Sequence, residues 1–429
     1  MKRNPNCRLV AVICAFFFSN ARQGAATAGA SQGLLEEGWK PLCKLSNELD
    51  TIPNDIAHDT QQILDRVADM NKAALRVQIF ITATTPTLEV EPFVVLSSWL
   101  QANFDKAASL YRNAGTISHL KTTKASSYLK GRIDEALSFL AESYSTTNNG
   151  CLLRDGTTTH ATPTGDRIYN TACPCTSTEI KPGKATATQV SATRYPNLID
   201  TSQNVNSLQG ETDGSRKCHL LSGHSSDSYA KTQAIEGKPT LFGGYINIPK
   251  TASAITAKSM KEISAPLHDD KDPWKTLVHA KNNAHTEATP GYTNTTDNIQ
   301  TQPSIIEAVT RNILGKDTAE ETAYKPHITR LFGESGDTKV KGYLKLVDDF
   351  QIPNGVAGID KKTPLRDIKK YDKLIAILGH YQISLRKQVI ALEKKAETAS
   401  NTKPNTGSEA ECNKLDNEEK CNADKKMQL

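Results

Sequence analysis

Aromatic residues make up only 6% of this 429-residue chain, and hydrophobic residues only 37%. That is too little apolar material for one compact globule with thick core layers. The apolar side chains must instead lie in narrow stripes, as they do in coiled coils. Signatures of catalysis are also missing. The sequence has no Walker loop, no Gly-rich fingerprint after a strand, no His-Glu-x-x-His and no Gly-x-Ser-x-Gly. None of its ten histidines pairs with an acid or a nucleophile. The expectation is a protein that is not an enzyme, with no catalytic residue, no cofactor and no metal.

A basic excess is missing too, once the N-terminus is set aside. The chain has 52 Lys+Arg against 47 Asp+Glu, but Lys2, Arg3, Arg8 and Arg22 all lie in residues 1–28, which contain no acid. What remains is 48 against 47, essentially neutral, and this excludes a polyanion partner such as nucleic acid. The N-terminus itself has a basic start, an unbroken apolar run from Leu9 to Phe18 and then small residues. That order is a secretory signal peptide, and the run is too short to span a bilayer. Ala26-Thr27-Ala28 is the best cleavage signature, with Ala28-Gly29-Ala30 close behind, so residues 1–28 are read as removed.

Seven cysteines then remain: Cys43, Cys151, Cys173, Cys175, Cys218, Cys412 and Cys421. Cys173, Cys175 and Cys218 with His219 and His224 make the nearest thing to a metal cluster. Zinc would need thiolates, however, and in the secretory pathway cysteines are first of all disulfide partners. Five cysteines before residue 400, with one left free, allow fifteen two-bridge arrangements.

The stripes are periodic. Leu42, Leu45, Leu49, Ile52, Ile56, Ile63, Val67, Met70, Ala74, Val77 and Ile81 step by three and four in a heptad seam. Pro53 falls within it, where a kink or restart is expected, and the stretch from Ile52 to Ile81 would be about 45 Å long as helix. Prolines and threonines at 82–92 turn the chain. A second stripe follows: Leu100, Phe104, Ala107, Tyr111, Ala114 and Ile117, then Leu129, Ile133, Ala136, Leu140 and Tyr144. Gly115 and Gly131 weaken that helix by about 1 kcal/mol each. Two such helices bury their stripes most simply against each other, antiparallel.

Residues of roughly 145–300 are rich in Thr, Ser, Asn and Gly, with no sustained period. They read as cystine-stapled loops with short elements, of which Leu241–Ile246 could be strands. Asn294-Thr295-Thr296 is an N-glycosylation sequon in this stretch. A third stripe runs Ile368, Tyr371, Ile375, Leu378, Leu385, Val389, Leu392 and Ala396, with Thr363-Pro364 as its start signal. The predicted helices are therefore about 34–81, 93–145 and 364–396, with a lobe over about 146–363, inside a domain spanning 29–396. A polar linker (397–411) and the start of a small C-terminal domain (412–429) follow. Stripe left over on these helices suits a parallel homodimer.

The signal peptide, early-helix Cys43, the stretch Tyr128-Leu129-Lys130-Gly131-Arg132-Ile133-Asp134-Glu135, the cysteine-bearing middle and the Cys412–Cys421 tail together resemble the trypanosome variant surface glycoproteins with a type-A N-terminal domain. The resemblance implies a mainly α, dimeric rod: a long antiparallel helical hairpin, a loop-rich distal lobe stapled by disulfides, and a small cystine-containing C-terminal domain. It implies a structural coat antigen that meets host antibodies, varies to evade them, and sits on the outer face of the plasma membrane through a glycosylphosphatidylinositol anchor. Carried over by position, Cys43 pairs with Cys173 and Cys151 with Cys218, leaving Cys175 over. Cys412 and Cys421 pair with each other or with partners downstream. The sequence ends Asp424-Lys425-Lys426-Met427-Gln428-Leu429 without the apolar tail of an anchor signal, so it reads as a truncated copy or an anchorless member. The alternative on the same scaffold is a receptor for a host serum protein, similar to the trypanosome transferrin receptor.

Overall fold

The computed structural model describes residues 31–84, 89–145, 149–154, 159–199, 208–210, 217–226, 229–230, 233–261, 263, 271–285, 299–334 and 337–401. The signal peptide, Asn294, Cys412 and Cys421 lie outside these. The fold is mainly α with a few small sheets. By its internal contacts the chain divides into two compact units: unit 1 (residues 1–60 and 114–285) and unit 2 (residues 61–113 and 286–429).

The first stripe forms α1, Glu36–Thr84. Leu42, Leu45, Leu49, Ile52, Ile56, Ile63, Met70, Ala74 and Val77 are all buried, as the heptad steps require, while Val67 and Ile81 of the same seam are half-buried. Pro53 is expected to break or kink this helix, yet helix is continuous through it, as it is through Pro41. Proline withholds one hydrogen bond, at a cost of about 3 kcal/mol. Burying Leu49, Ile52 and Ile56 on either side outweighs that loss.

The second stripe forms α2, Glu91–Leu110, and α3, Thr116–Glu142, joined by a single π turn at Tyr111–Gly115. The π turn explains where the expected seam fails. A π turn inserts a residue into the helical ladder and rotates the following face. Ala114 and Ile117, expected in the core, are therefore exposed. His119, Thr122, Ala125, Ser126, Leu129, Ile133, Leu137 and Leu140 turn inward in their place.

In unit 1, α1 up to Thr60 and α3 share one core with the chain that covers them. That cover is built from two-residue strands. Leu153–Arg154 (β1) pairs with Thr159–His160 (β2). Pro163–Thr164, Arg167–Ile168 and Thr171–Ala172 (β3–β5) form an antiparallel meander. Thr240–Leu241, Ile246–Asn247 and Thr256–Ala257 (β6–β8) form another, so the stretch read as possible strands holds two. A helix unread in the sequence, α4 (Pro273–Asn282), packs on α3. Its start is well specified, with Asp272 accepting from the backbone N–H groups of Trp274 and Lys275 and proline at the first turn. Trp39 donates to the Leu153 carbonyl at 2.8 Å, and Tyr195 donates to the Trp274 carbonyl at 2.8 Å. Backbones come very close at Gly33: a β-carbon there would lie 2.4 Å from the Gly150 carbonyl oxygen, so only glycine fits.

In unit 2, the rest of α1 and α2 are covered by helices: α5 (Pro303–Asn312), α6 (Glu321–Phe332), α7 (Asp337–Asp349) and α8 (Tyr371–Asn401). Of these, α5–α7 stand within the stretch assigned to the loop lobe. Phe80, Phe93, Phe350, Tyr343 and Phe332 form a chain of tilted and edge-on ring contacts, with centroids 4.8–6.4 Å apart. The expected helix start at Thr363-Pro364 is a strand instead. Thr363–Pro364 (β10) pairs with Gln351–Ile352 (β9), and a 3-10 turn at Leu365–Asp367 follows before α8 begins at Tyr371. Leu365 is fully buried, and its N–H is bonded to the Phe350 carbonyl, which holds the chain extended there.

Candidate functional site

The site of interest is the grip of α1 and α3 on the irregular cover of unit 1. It begins with the eight residues Tyr128–Glu135 of α3. Leu129 and Ile133 enter the core, while Tyr128, Gly131, Arg132 and Glu135 are exposed. Lys130 and Asp134, one helical turn apart, point between α3 and α1. The Lys130 ammonium lies 2.6 Å from Asp134 Oδ2, 3.1 Å from Ser46 Oγ and 3.9 Å from Asp50 Oδ1. Ser46 also donates a short hydrogen bond to Asp134. A buried ion pair is tolerated only where its remaining hydrogen-bonding capacity is met, and Ser46 supplies that here.

Outward from this tetrad, α1 presents a row of polar side chains that bind mainly backbone N–H groups. Glu48 accepts from the N–H groups of Thr188, Gln189 and Val190 at 2.6, 2.7 and 2.9 Å. Asp50 accepts from the N–H and hydroxyl of Thr178, Asn54 from the N–H of Lys181 at 3.0 Å, and Asp55 from the N–H of Ala185 at 2.8 Å. Asp59 pairs with Lys184 at 2.7 Å. Residues 176–188 have no regular secondary structure, and nearly all their side chains are exposed. The segment is thus strapped along α1 by its own amides. At its far end Lys281 of α4 donates to the Val190 carbonyl at 3.0 Å. Burial lowers the pKa of that ammonium, with Glu48 and Asp55 acting in the opposite sense.

Two disulfides close the cover. Cys43, fully buried in α1, is bonded to Cys173 just beyond β5, with α-carbons 5.0 Å apart and a sequence separation of 130. Cys151 is bonded to Cys218 across 67 residues, with α-carbons 4.8 Å apart. Chain-entropy arguments give each such bridge about 4–5 kcal/mol at most. Cys175 is left as a thiol. Of the residues weighed as a metal cluster, Cys173 and Cys218 belong to different disulfides, so the structure does not gather them into a ligand set.

Sequence reasoning found the apolar part of α3 and missed its buried polar part. His119, Thr122 and Ser126 fill the gap between the two halves of the second stripe. His119 contacts the Thr60 hydroxyl at 2.8 Å and the His285 carbonyl at 2.6 Å, and Thr122 donates to the Ala280 carbonyl at 2.9 Å. The expected third stripe is only half used. Of its members Ile368 and Leu378 are buried, but Tyr371, Ile375 and Leu392 are 46%, 42% and 64% exposed, and Leu374 and Ile377 are buried instead; Ile383 is 61% exposed. In α3, Ile117 and Leu120 are likewise 50% and 61% exposed. Among the described residues no helix is long and apolar enough to cross a membrane.

Comparison with known proteins places these features in context. Residues 10–382 match the family model of the trypanosome variant surface glycoproteins of A type. Variant surface glycoprotein MITAT 1.1 of Trypanosoma brucei brucei is 29% identical over 406 residues, covering 94% of this chain and 81% of the relative. Variant surface glycoprotein MITAT 1.2 of the same organism is 23% identical over 392 residues, covering 91% and 82%. The solved structure of MITat 1.1 superimposes with a TM-score of 0.79 at 29% identity, covering 85% of this chain and all of that one.

Proposed function

The chain belongs to the A-type variant surface glycoprotein family of trypanosomes, and from that premise we propose how it serves as a coat protein. It acts by structure, as a member of a dense surface layer, and performs no catalysis. The match of residues 10–382 to the family model is the observation that carries this reading. The relatives described above are coat glycoproteins, and none of them supports the serum-protein receptor alternative.

The strap on α1 supplies a physical rationale for a coat that varies. Glu48, Asp50, Asn54 and Asp55 bind amide groups that every residue except proline possesses. The outward side chains of 176–188, apart from Thr178, Lys184 and Thr188, which also contact α1, are thereby free to change without loosening the hold. An antigen under pressure from host antibody needs this division: a constant grip beneath and replaceable side chains above.

The protein is a homodimer in this reading, with the unpartnered apolar side chains of α8 and of the start of α3 as its contact candidates. It carries a glycan at Asn294 and a Cys412–Cys421 bridge, and it reaches the outer face of the plasma membrane through the secretory pathway. The full-length protein is held there by a glycosylphosphatidylinositol anchor. The test is to express it in bloodstream trypanosomes as the sole coat gene, stain live cells with an antibody to it, and treat them with phosphatidylinositol-specific phospholipase C. Dense uniform staining that the enzyme releases supports the reading. Sparse staining, or protein retained inside the cell, contradicts it.

A further inference from the structure

Three cysteine sulfurs meet at one point in unit 1, and only two of them are bonded to each other. Cys175 is the free cysteine among the described residues. Its Sγ lies 4.0 Å from Sγ of Cys173, which is bonded to Cys43. The three sulfurs belong to two elements: Cys43 to α1, and Cys173 and Cys175 to the chain leaving β5, with only Pro174 between them. Cys175 also lines a cleft of about 410 Å³ whose charged groups are Asp50 from α1 and Lys130, Asp134 and Glu135 from α3. The thiol is therefore in contact with a disulfide sulfur and is also open to a solvent-sized space. A disulfide bond is about 2.05 Å long, so the sulfur of Cys175 has roughly 2 Å to travel to reach bonding distance.

We propose that the Cys43–Cys173 staple is exchangeable, with Cys175 as its built-in entering thiol. Cys175 gives up its proton and its thiolate attacks Sγ of Cys173. The bond from Cys173 to Cys43 breaks, its electron pair leaves on Sγ of Cys43, and that sulfur takes up a proton. One S–S bond forms and one breaks, so neither oxidant nor reductant is consumed. The product has a Cys173–Cys175 bridge within the loop and a free Cys43 in α1. The covalent tie from α1 to the cover opens, while Cys151–Cys218 is untouched.

The surroundings hold this step in check. Burial, and then the Asp134 carboxylate, push the Cys175 thiol up to about 11, with Lys130 acting in the opposite sense. A thiol of that pKa is ionised to roughly one part in ten thousand at pH 7, and the exchange rate follows the thiolate. The staple is thus stable at rest and becomes labile wherever the cleft is opened or the pH rises.

The test uses the oxidised full-length glycoprotein without reductant. It is incubated at pH 7 and pH 9, quenched with acid, labelled with a maleimide and mapped by peptide mass spectrometry. At the start the label in unit 1 is on Cys175. The expected result is label appearing on Cys43, with the peptide containing Cys173 and Cys175 losing its label and becoming internally bridged. The initial rate should be about a hundredfold higher at pH 9 than at pH 7, tenfold for each unit below the thiol's pKa. In Cys175→Ser, Cys43 should stay unlabelled at both pH values. Label confined to Cys175 at pH 9 overturns the proposal. Equal labelling of Cys43 in Cys175→Ser also overturns it, because the attacking thiol then lies elsewhere. Label on Cys173 in place of Cys43 overturns the assigned point of attack.

Discussion

In unit 1, α1 up to Thr60 is faced by α3 and covered by two-residue strands, turns and extended chain. In unit 2 the remainder of α1 is faced by α2 and covered by α5–α8, with the connected rings of Phe80, Phe93, Tyr343, Phe350 and Phe332 at the core. Both described disulfides and the whole carboxylate strap are in unit 1. A helix satisfies its own backbone and offers an apolar stripe, so helices can cover a core by packing alone. Irregular chain does neither, and its amides must find partners elsewhere. Unit 1 meets that need with covalent closure and with α1 side chains that receive backbone N–H groups. The difference shows what a loop-rich surface requires beneath it.

Predictions that break or sharpen this comparison run from large to small. Phe93→Ala removes the ring at the centre of the unit 2 cluster and should cost about 3–5 kcal/mol, measured by denaturant unfolding, with the amides of unit 1 keeping their exchange protection. Lys130→Met leaves Asp134 buried without its cation and should cost about 3–5 kcal/mol. A Lys130→Met/Asp134→Leu double variant should recover much of that loss, and failure to recover would mean the tetrad is not acting as a unit.

Glu48→Ala releases three backbone N–H groups of the strap, at about 1.5–3 kcal/mol. By contrast, exchanging the exposed side chains of Ser177, Glu179, Lys181 or Thr186 for other residues except proline should each change stability by less than about 0.5 kcal/mol. Equal costs for the two sets would remove the distinction between grip and variable surface. Leu392→Ser in α8 should leave the unfolding midpoint nearly unchanged but raise the dimer dissociation constant, read by sedimentation equilibrium.

The Cys175 thiol gives the smallest effect. Its folded pKa of about 11 lies above the ordinary thiol value, so below about pH 8 both folded and unfolded chains hold the proton and nothing changes. Between about pH 9 and 11 the unfolded chain releases it first, and stability should fall with rising pH. Cys175→Ser should flatten that part of the profile.

What the sequence made legible follows from periodicity. The apolar seam of α1 and the Leu129–Leu140 half of α3 are regular enough that period alone placed them in the core. The π turn at Tyr111–Gly115 was not legible, because it breaks the period without any proline. Neither was the buried polar run of His119, Thr122 and Ser126, whose partners at Thr60, Ala280 and His285 are distant in sequence. The helices α4 and α5 did leave signals, with Asp272-Pro273 and Gln302-Pro303 at their starts, but each is only ten residues long, too short for a sustained stripe. In the eight residues Tyr128–Glu135 the heptad reading recovered Leu129 and Ile133. Lys130 and Asp134 needed the structure, because helix surfaces commonly carry such a pair and only Ser46 and Asp50 opposite mark this one as internal.

The most direct measurement is amide hydrogen exchange by mass spectrometry on the intact protein, with and without a phosphine reductant at neutral pH. Disulfides that hold an irregular cover over unit 1 predict that reduction strips protection from residues 151–154, 159–199 and 217–226, while α2, α5, α6 and α7 of unit 2 keep theirs. Equal loss in both units, or no loss in either, would contradict the account.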